Sequence, residues 1–231
     1  MCGRYTLKTS GKELAEVFQV PDCMELEPRY NVAPTNSMPI VHIDMGQRRI
    51  MRASWGLVPF WAKSPHIGSR MINARSETAH QKSAFRAAMR KRRCLVPVDG
   101  WYEWKRNGRE RQPYRFHRAD EKALGLAGLY EHWVDPESGE VLDSFTILTT
   151  KPNALAATTH DRMPVILAAA DWEQWLDPTM RDMSEITQLC LPWMHDDLLA
   201  TPVSKDVGNV RNDRPDLIDP VDLEPKQGSL F

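Results

Sequence analysis

The spacing of apolar residues near the start of the chain predicts one short helix. Leu14, Val17 and Phe18 recur at helical intervals, and a proline follows shortly after them. Ser10 and Glu13, three residues apart, form a capping-box pattern where this helix would begin. Similar patterns predict three further short helices, over 83–92, 171–176 and 184–191.

Most of the other apolar segments are short and lie between turn residues, which is the pattern of β-strands. Strands are predicted over 38–43, 49–55, 93–98, 101–106, 113–117, 123–130, 144–150 and 163–167. The dipeptide Asn107-Gly108 between two of them predicts a tight hairpin. We therefore expect an α+β fold: a single domain with a mostly antiparallel, barrel-like β core and flanking short helices.

Composition narrows the class of protein. The 231 residues are 42% hydrophobic and 26% charged with a net charge of -1, which excludes a polycation that coats nucleic acid by total charge. No apolar run is long enough to span a membrane, and no secretory signal is visible, so the cytoplasm is the expected location. The four cysteines are far apart, so neither a zinc site nor a disulfide framework is encoded locally. No metal or organic cofactor is expected.

Charge is nevertheless uneven along the chain. Between residues 86 and 118, eleven Lys/Arg face three Asp/Glu, a local net charge of +8. A solvated helix face followed by a hairpin would account for this run. Five aromatic residues are interleaved with these cations, however, and single-stranded nucleic acids are bound by such mixtures of stacking and phosphate-neutralising groups. The aromatics are Trp101, Tyr102, Trp104, Tyr114 and Phe116.

Cys2 is the most unusual placement of a reactive group. Removal of Met1 would leave an α-amine and a thiol on the same residue, a 1,2-aminothiol that condenses with aldehydes to a thiazolidine ring. The same pair suits an amidohydrolase in which the thiol attacks an amide and its own amine is the base. A second-position cysteine in a frayed terminus is the chemically inert alternative.

Three further segments place polar groups beside turns or apolar runs. Asn73 and Arg75 lie in MINARSET, Glu103 lies between two tryptophans in DGWYEWK, and His160 lies in THDRMPVIL. A carboxyl against indole rings can acquire a raised pKa, and a loop histidine can present its imidazole at a cleft. An ordinary hairpin glutamate and a helix-capping histidine are equally compatible with these patterns.

These segments, in this order, resemble the SOS response-associated peptidase (SRAP) family over residues 1–213. The matching segments are MCGRY, RYNVAPT, WGLVPFW, INARSET, RCLVPVDGWYEWK, QPYRF, LAGLYE, HDRMPVIL and PVSKDVGNVRND. Family members recognise abasic sites in single-stranded DNA, cross-link to the ring-opened sugar through a thiazolidine at the second-position cysteine, and are described as autopeptidases. The resemblance therefore implies a DNA-repair enzyme with hydrolase and lyase-like chemistry, associated with the nucleoid when bound to DNA.

The resemblance also implies roles for particular residues. Cys2 would be the nucleophile, Asn73 would orient the reacting groups, Glu103 would act as acid and base, and His160 would assist proton transfer. Contacts to DNA are implied for Arg4, Pro34, Trp61, Arg75, Arg162, Ser204, Lys205 and Asn209. The sequence departs from the family pattern at Thr159, where an aliphatic residue usually precedes the histidine.

Two other functions remain open at this point. A cysteine peptidase or amidase would use the same side chains on peptides, and a non-catalytic reader of modified single-stranded DNA would need only the basic and aromatic surface.

Selection of an abasic site requires no base readout, because only a baseless sugar exposes an aldehyde and phosphate contacts carry no sequence information.

The chain after residue 213 has a different character. Residues 214–231 are acidic and punctuated by prolines, which predicts a flexible tail. The segment QGSLF resembles the short Q-x-x-L-F peptides through which bacterial repair proteins bind the sliding clamp. Gln227, Leu230 and Phe231 would make that contact.

Overall fold

The structure is a computed structural model that describes residues 2–223. Its strands are β1 Tyr5–Leu7, β2 Arg29–Val32, β3 Ser37–Asp44, β4 Gln47–Trp55, β5 Asn73–Arg75, β6 Arg93–Val98, β7 Gly100–Asn107, β8 Glu110–Arg118, β9 Leu124–Val134, β10 Val141–Thr150, β11 Met163–Pro164, β12 Ile166–Leu167 and β13 Leu198–Pro202. The α-helices are α1 Gly11–Phe18, α2 Ser76–Ala79, α3 Arg86–Lys91, α4 Ala154–Ala157, α5 Trp172–Leu176 and α6 Met183–Gln188. Short 3₁₀ helices cover Pro65–Arg70, Ala169–Asp171, Lys205–Gly208 and Pro215–Ile218.

The first sheet has the strand order β13-β8-β7-β1-β2, and all its pairings are antiparallel. Its centre is the hairpin of β7 and β8, in which Asn107 pairs with Glu110 and Gly108 adopts a φ of +63°. Glycine adopts this left-handed conformation without the steric cost that a Cβ atom would bring. The predicted hairpin is confirmed, with its two-residue turn at Gly108 and Arg109, because Asn107 is still paired with Glu110.

The second sheet closes on itself. Strands β10, β4, β3, β6 and β9 form a ring, because β10 pairs with both β4 and β9. Among residues 2–223, only β4 and β5 pair in parallel, both with β10. The predicted α+β fold with a mostly antiparallel, barrel-like core and short helices is confirmed.

Helix α1 begins where its sequence signal lies. The Ser10 side chain accepts from the Glu13 amide, and the Glu13 carboxylate accepts in return from the Ser10 amide at 3.0 Å. The helix buries Leu14 and Phe18, and the Phe18 ring stacks on Trp172 with 4.6 Å between centroids. The two hydrogen bonds of the capping box begin the helix, and its apolar stripe packs it against the core.

Some predicted elements differ from the observed ones. The predicted helix over 83–92 is shortened to Arg86–Lys91, and the predicted strand over 163–167 is divided at Val165. The division has a physical cause, because β11 pairs with β10 whereas β12 pairs with β9, so the chain changes partner there. Four strands were not predicted, β1, β2, β5 and β13, and each has at most five residues.

One apolar core draws on both sheets. Trp55 and Trp175 are fully buried in it, and strand and helix residues from most of the chain share the same cluster. A smaller cluster joins Tyr102 to Leu217, which is itself fully buried. No helix in the part of the chain that the structure describes combines the length and apolarity needed to cross a membrane.

The predicted flexible tail over 214–231 requires a correction in its first part. The 3₁₀ helix Pro215–Ile218 packs Leu217 against the first sheet, and Val203 forms a β-bridge with Pro220. An apolar side chain at residue 217 is enough to hold this segment to the domain. The predicted clamp contact through Gln227, Leu230 and Phe231 lies outside the described residues.

Candidate functional site

Cys2 lies just before β1, and its side chain is fully buried. The Asn73 Nδ2 amide donates a hydrogen bond to the Cys2 carbonyl oxygen at 2.6 Å, which fixes the backbone there. Burial raises the pKa of the Cys2 thiol well above its ordinary value, and the nearby Glu103 carboxylate raises this pKa further. The thiol is therefore protonated at neutral pH and needs a base to become a nucleophile.

Asn73 is held in place by the barrel. It begins β5, which pairs in parallel with β10 so that Asn73 lies opposite Ile147. With Nδ2 bound to the Cys2 carbonyl, the Asn73 Oδ1 atom is buried and accepts no hydrogen bond from residues 2–223. A buried amide oxygen in this state remains available to a donor on a ligand.

Glu103 is placed by the alternation of β7. Glu103 shares a face of the strand with Trp101, whose ring stacks on Phe116 with 5.1 Å between centroids. Tyr114 is the cross-strand partner of Glu103 on β8. The side chain is only 4% exposed. Burial is the main cause that raises the pKa of Glu103 from 4.5 to about 7. This carboxyl can therefore both accept and release a proton near neutral pH.

His160 lies in the loop after α4, and the residue before it, Thr159, is half-buried. The His160 side chain lines the same cavity as Glu103. Its Nδ1 atom lies 3.1 Å from the Arg162 amide nitrogen and 2.7 Å from an Asp161 carboxylate oxygen. A neutral ring accepts from the amide, and a protonated ring pairs with the carboxylate. Burial lowers the pKa of His160, which favours the neutral, proton-accepting form at pH 7.

Glu103 and His160 line one cavity of about 410 Å³. Its other walls are Trp104, Lys105, Arg106, Arg111, Thr158 and Thr159. A larger cavity of about 670 Å³ lies beside α1 and the segment Cys23–Glu27, and it contains none of the groups described above. We place the candidate site at the smaller cavity because the acid–base groups are there. Residues 2–223 contain no group of three or more His, Cys, Asp or Glu side chains arranged to hold a metal ion.

Arg4, predicted to contact DNA, is engaged inside the protein. Its guanidinium donates to Asn31 Oδ1 at 2.8 Å and to the carbonyls of Val207 and Gly208 at 2.9 and 3.3 Å. These bonds hold the 3₁₀ helix Lys205–Gly208, which Ser204 caps by accepting from the Asp206 amide. Arg4 therefore ties this helix to the first sheet.

Lys205 and Asn209, at the two ends of the same segment, are both exposed. The Lys205 ammonium lies 3.8 Å from the Glu110 carboxylate at the tip of the β7–β8 hairpin. The Asn209 side chain accepts from the Arg211 amide at 3.1 Å. The segment thus carries two exposed polar side chains beside the hairpin.

Arg162 and Arg75 have contrasting environments. Arg162 binds both oxygens of Glu77, at 2.7 and 2.8 Å, and also donates to the Thr149 carbonyl at the end of β10. This bidentate pair lowers the pKa of Glu77 and locks the loop that follows His160. Arg75, at the end of β5, is exposed to solvent.

Pro34 and Trp61 lie in two segments on either side of Trp55 in sequence. Pro34 is half-buried in the turn 33–36, which exchanges backbone hydrogen bonds with Trp55 at 2.8 and 3.0 Å. Trp61, six residues after Trp55, is 47% exposed, and its neighbour Phe60 is 59% exposed. Two adjacent exposed aromatic rings are suited to stacking on bases.

Sequence reasoning missed several residues that organise the site. Phe60 is one, and Trp55 is another, since its indole donates to the Ile72 carbonyl next to Asn73 at 2.9 Å. Tyr5 is a third: its hydroxyl is buried with no hydrogen-bond partner within residues 2–223, and this burial is the main cause that raises its pKa. Phe60, Trp55 and Tyr5 all lie in quoted motifs, where position alone could have pointed to them.

Comparison with known proteins gives a consistent family. The profile described as SOS response associated peptidase (SRAP) matches residues 1–210. The abasic site processing protein YoqW of Bacillus subtilis (strain 168) is 40% identical over 223 residues, which cover 95% of this chain and 99% of the relative. The abasic site processing protein HMCES of Gallus gallus is 33% identical over 85% of this chain and 67% of its own length.

Solved structures share the fold. A crystal structure of a protein from Bacteroides thetaiotaomicron superposes with a TM-score of 0.87 at 27% identity, covering 95% of this chain and 100% of the other. The similarity therefore extends through both sheets and reaches the segments that carry the candidate site.

Proposed function

The chain belongs to the SOS response associated peptidase (SRAP) family, and we propose that it processes abasic sites in single-stranded DNA by forming a thiazolidine cross-link through Cys2. Relatives at 30–40% identity carry the name abasic site processing protein. The strongest support from the structure is that the buried Cys2 thiol lies within electrostatic reach of a buried carboxyl, Glu103, whose pKa burial raises to about 7.

The reaction begins after loss of Met1, which turns the Cys2 amide nitrogen into a primary amine. This amine adds to the C1′ aldehyde of the ring-opened sugar, and water leaves to give an imine. The thiol sulfur then adds to the imine carbon, and its proton passes to the nitrogen, so water is the only product released. A single acid–base group can assist both steps when its pKa lies near the working pH.

The described residues supply those proton transfers. Glu103 in its acid form donates the proton that departs with water, and as a carboxylate it takes the proton from the Cys2 thiol. Asn73 keeps the Cys2 backbone in place through its 2.6 Å hydrogen bond and offers a buried acceptor oxygen. His160, at the same cavity, acts as the second proton acceptor.

DNA would be held by the surfaces around this cavity. Arg75 supplies an exposed cation, Trp61 and Phe60 supply stacking faces, and the segment Ser204–Asn209 supplies polar contacts. Arg4 and Arg162 act within the protein, by fixing that segment and the loop after His160.

Incubation with an abasic oligonucleotide tests the cross-link. Wild-type protein should give a slowly migrating, protease-sensitive band on a denaturing gel, with an intact mass of protein without Met1 plus oligonucleotide minus water. Cys2→Ala should give no band. Cys23→Ala is the matched control, because Cys23 is exposed and would react first in any nonspecific thiol chemistry. Equal cross-linking by Cys2→Ala, or by a chain that keeps Met1, would contradict the proposal.

The proposal includes self-removal of Met1, with Glu103 as the proton-transfer group. Glu103→Gln leaves the N-terminal sequence unchanged, so an external aminopeptidase would process it like the wild type. Intact mass of the purified proteins should show Met1 retained in the Gln variant and absent from the wild type. Equal loss of Met1 from both would overturn this part of the proposal.

The proposal also includes docking of Gln227–Phe231 to a sliding clamp, which would raise the local concentration of the protein at exposed single strands. A calorimetric titration of purified clamp should show binding by the full chain and none by a chain lacking 227–231. Equal binding by both, or none by either, would refute it, and cross-linking to isolated DNA should not change.

A further inference from the structure

The outer part of the β7–β8 hairpin carries two arginines that face each other. Arg106 and Arg111 are direct cross-strand partners, three residues beyond Glu103 on β7 and at the start of β8. Side chains at such positions point to the same face and have Cβ atoms about 5 Å apart, so two like charges there repel each other. This arrangement costs stability unless an anion lies between the two guanidinium groups.

Within residues 2–223, neither Arg106 nor Arg111 forms a hydrogen bond or an ion pair with another side chain. The other two arginines of β8 have carboxylate partners: Arg115 binds Glu121 at 2.8 Å, and Arg118 binds Asp120 at 2.7 Å. The chain thus neutralises the other two arginines of β8, whereas Arg106 and Arg111 have no carboxylate partner among residues 2–223.

Both arginines line the cavity that Glu103 and His160 also line, together with Lys105. Arg106 is also one of the charges that lower the pKa of His160, after burial, which places its guanidinium within electrostatic reach of the imidazole. An anion held by the pair would therefore lie at the cavity that Glu103 and His160 line.

We propose that Arg106 and Arg111 together bind one phosphate group of the DNA strand next to the abasic sugar. This inference rests on the proposed function and identifies a phosphate subsite for it. Guanidinium groups match phosphate oxygens in bidentate geometry, and a phosphate between them replaces their mutual repulsion with two charge-assisted contacts. Such a contact positions the strand without reading its bases.

The test compares Arg106→Gln, Arg111→Gln and the double variant with Arg109→Gln, an exposed residue of the same hairpin that does not line the cavity. All are made in a Cys2→Ala background, so that binding to single-stranded DNA with a stable abasic analogue is measured without reaction. Each cavity variant should weaken binding about tenfold at about 0.1 M salt. The double variant should also flatten the slope of log affinity against log salt by about 0.7, the value for one phosphate on a single strand. Arg109→Gln should keep the wild-type slope.

Neutralising the DNA phosphates one at a time as methylphosphonates locates the contact. At one position beside the abasic analogue, the affinity difference between the Cys2→Ala protein and the double variant should disappear, because the missing charge is the one that the arginines bind. Coupling at no position, or a double variant with an unchanged salt slope, would overturn the inference. Saturation of the pair by inorganic phosphate alone, with no coupling to any DNA phosphate, would also overturn it.

Failure of this inference is distinguishable from failure of the proposed function. Cross-linking by protein with an intact Cys2, together with an unchanged salt slope in the double variant, would contradict only the phosphate subsite. Absence of cross-linking by the wild type would contradict the proposed function, whatever the salt slopes show.

Discussion

Replacing Glu103 with Gln should make the stability of the protein less dependent on pH. An unfolded chain binds a proton at this carboxyl with a pKa near 4.5, whereas burial in the folded state raises the pKa to about 7. Between these two values the folded state binds more protons than the unfolded state, so stability falls as the pH rises and the loss is complete above the folded pKa. Glu103→Gln removes this titration and keeps a side chain of similar shape.

The magnitude follows from the difference between the two pKa values. At about 1.4 kcal/mol per pH unit, the wild type should lose about 3 kcal/mol from this group over the full range. The side chain is 4% exposed, so solvent screening does not reduce this value appreciably. Between about pH 5 and pH 8, the wild type should therefore lose about 2–3 kcal/mol more than the Gln variant.

Urea unfolding followed by circular dichroism at both pH values measures this difference. Both proteins carry Cys2→Ala, so that neither removes its own Met1 and their N-termini match. Titrations of the other groups then occur in both proteins and cancel in the comparison. Glu110→Gln, on the exposed end of the same hairpin, is the matched control and should follow the wild type. If the free energy of unfolding of Glu103→Gln fell with pH in parallel with that of the wild type, the reasoning would be refuted. That result would mean that folding does not raise the pKa of the Glu103 carboxyl.

Three further predictions concern the framework of the site. Asn31→Ala removes an amide that donates to three carbonyls of the segment 207–212. Hydrogen exchange of that segment should therefore accelerate about tenfold or more. Unchanged exchange would show that other contacts hold the segment. Tyr5→Phe removes a buried hydroxyl without a partner in the described chain, so the melting temperature should stay the same or rise, and a loss above about 1 kcal/mol would contradict this. Gly100→Ala would place a Cβ atom 2.6 Å from the Phe116 carbonyl oxygen, so urea unfolding should report a loss of about 1–3 kcal/mol; wild-type stability would mean that the two strands separate easily.

Several parts of this protein are determined by neighbouring residues and could be read from the sequence. The capping box of α1, the hairpin signalled by Asn107-Gly108 and the strand β6 all lie where the local pattern predicts them. The segment DGWYEWK, in which Glu103 lies between two tryptophans, likewise forms the predicted strand, β7. Each of these features depends on contacts within a few residues.

Other features depend on contacts between distant segments, and only the tertiary structure decides them. Strands β1, β2, β5 and β13 are too short to show a period, and they exist because a partner strand satisfies their backbone groups. The parallel pairing of β5 with β10 brings Asn73 to the Cys2 carbonyl across 71 positions of sequence.

The uses of the arginines were likewise invisible in the sequence. In the sequence, Arg4, Arg75 and Arg162 are all charged residues within motifs. In the structure, Arg4 binds backbone carbonyls and Arg162 binds a carboxylate, whereas Arg75 is exposed to solvent. A charged side chain takes its role from the acceptors that the fold places around it, and those acceptors come from segments far away along the chain. The sequence thus determined which reactive groups are present and which local elements carry them, whereas long-range packing decided which of those groups meet, because burial and charge neighbours are properties of the folded chain.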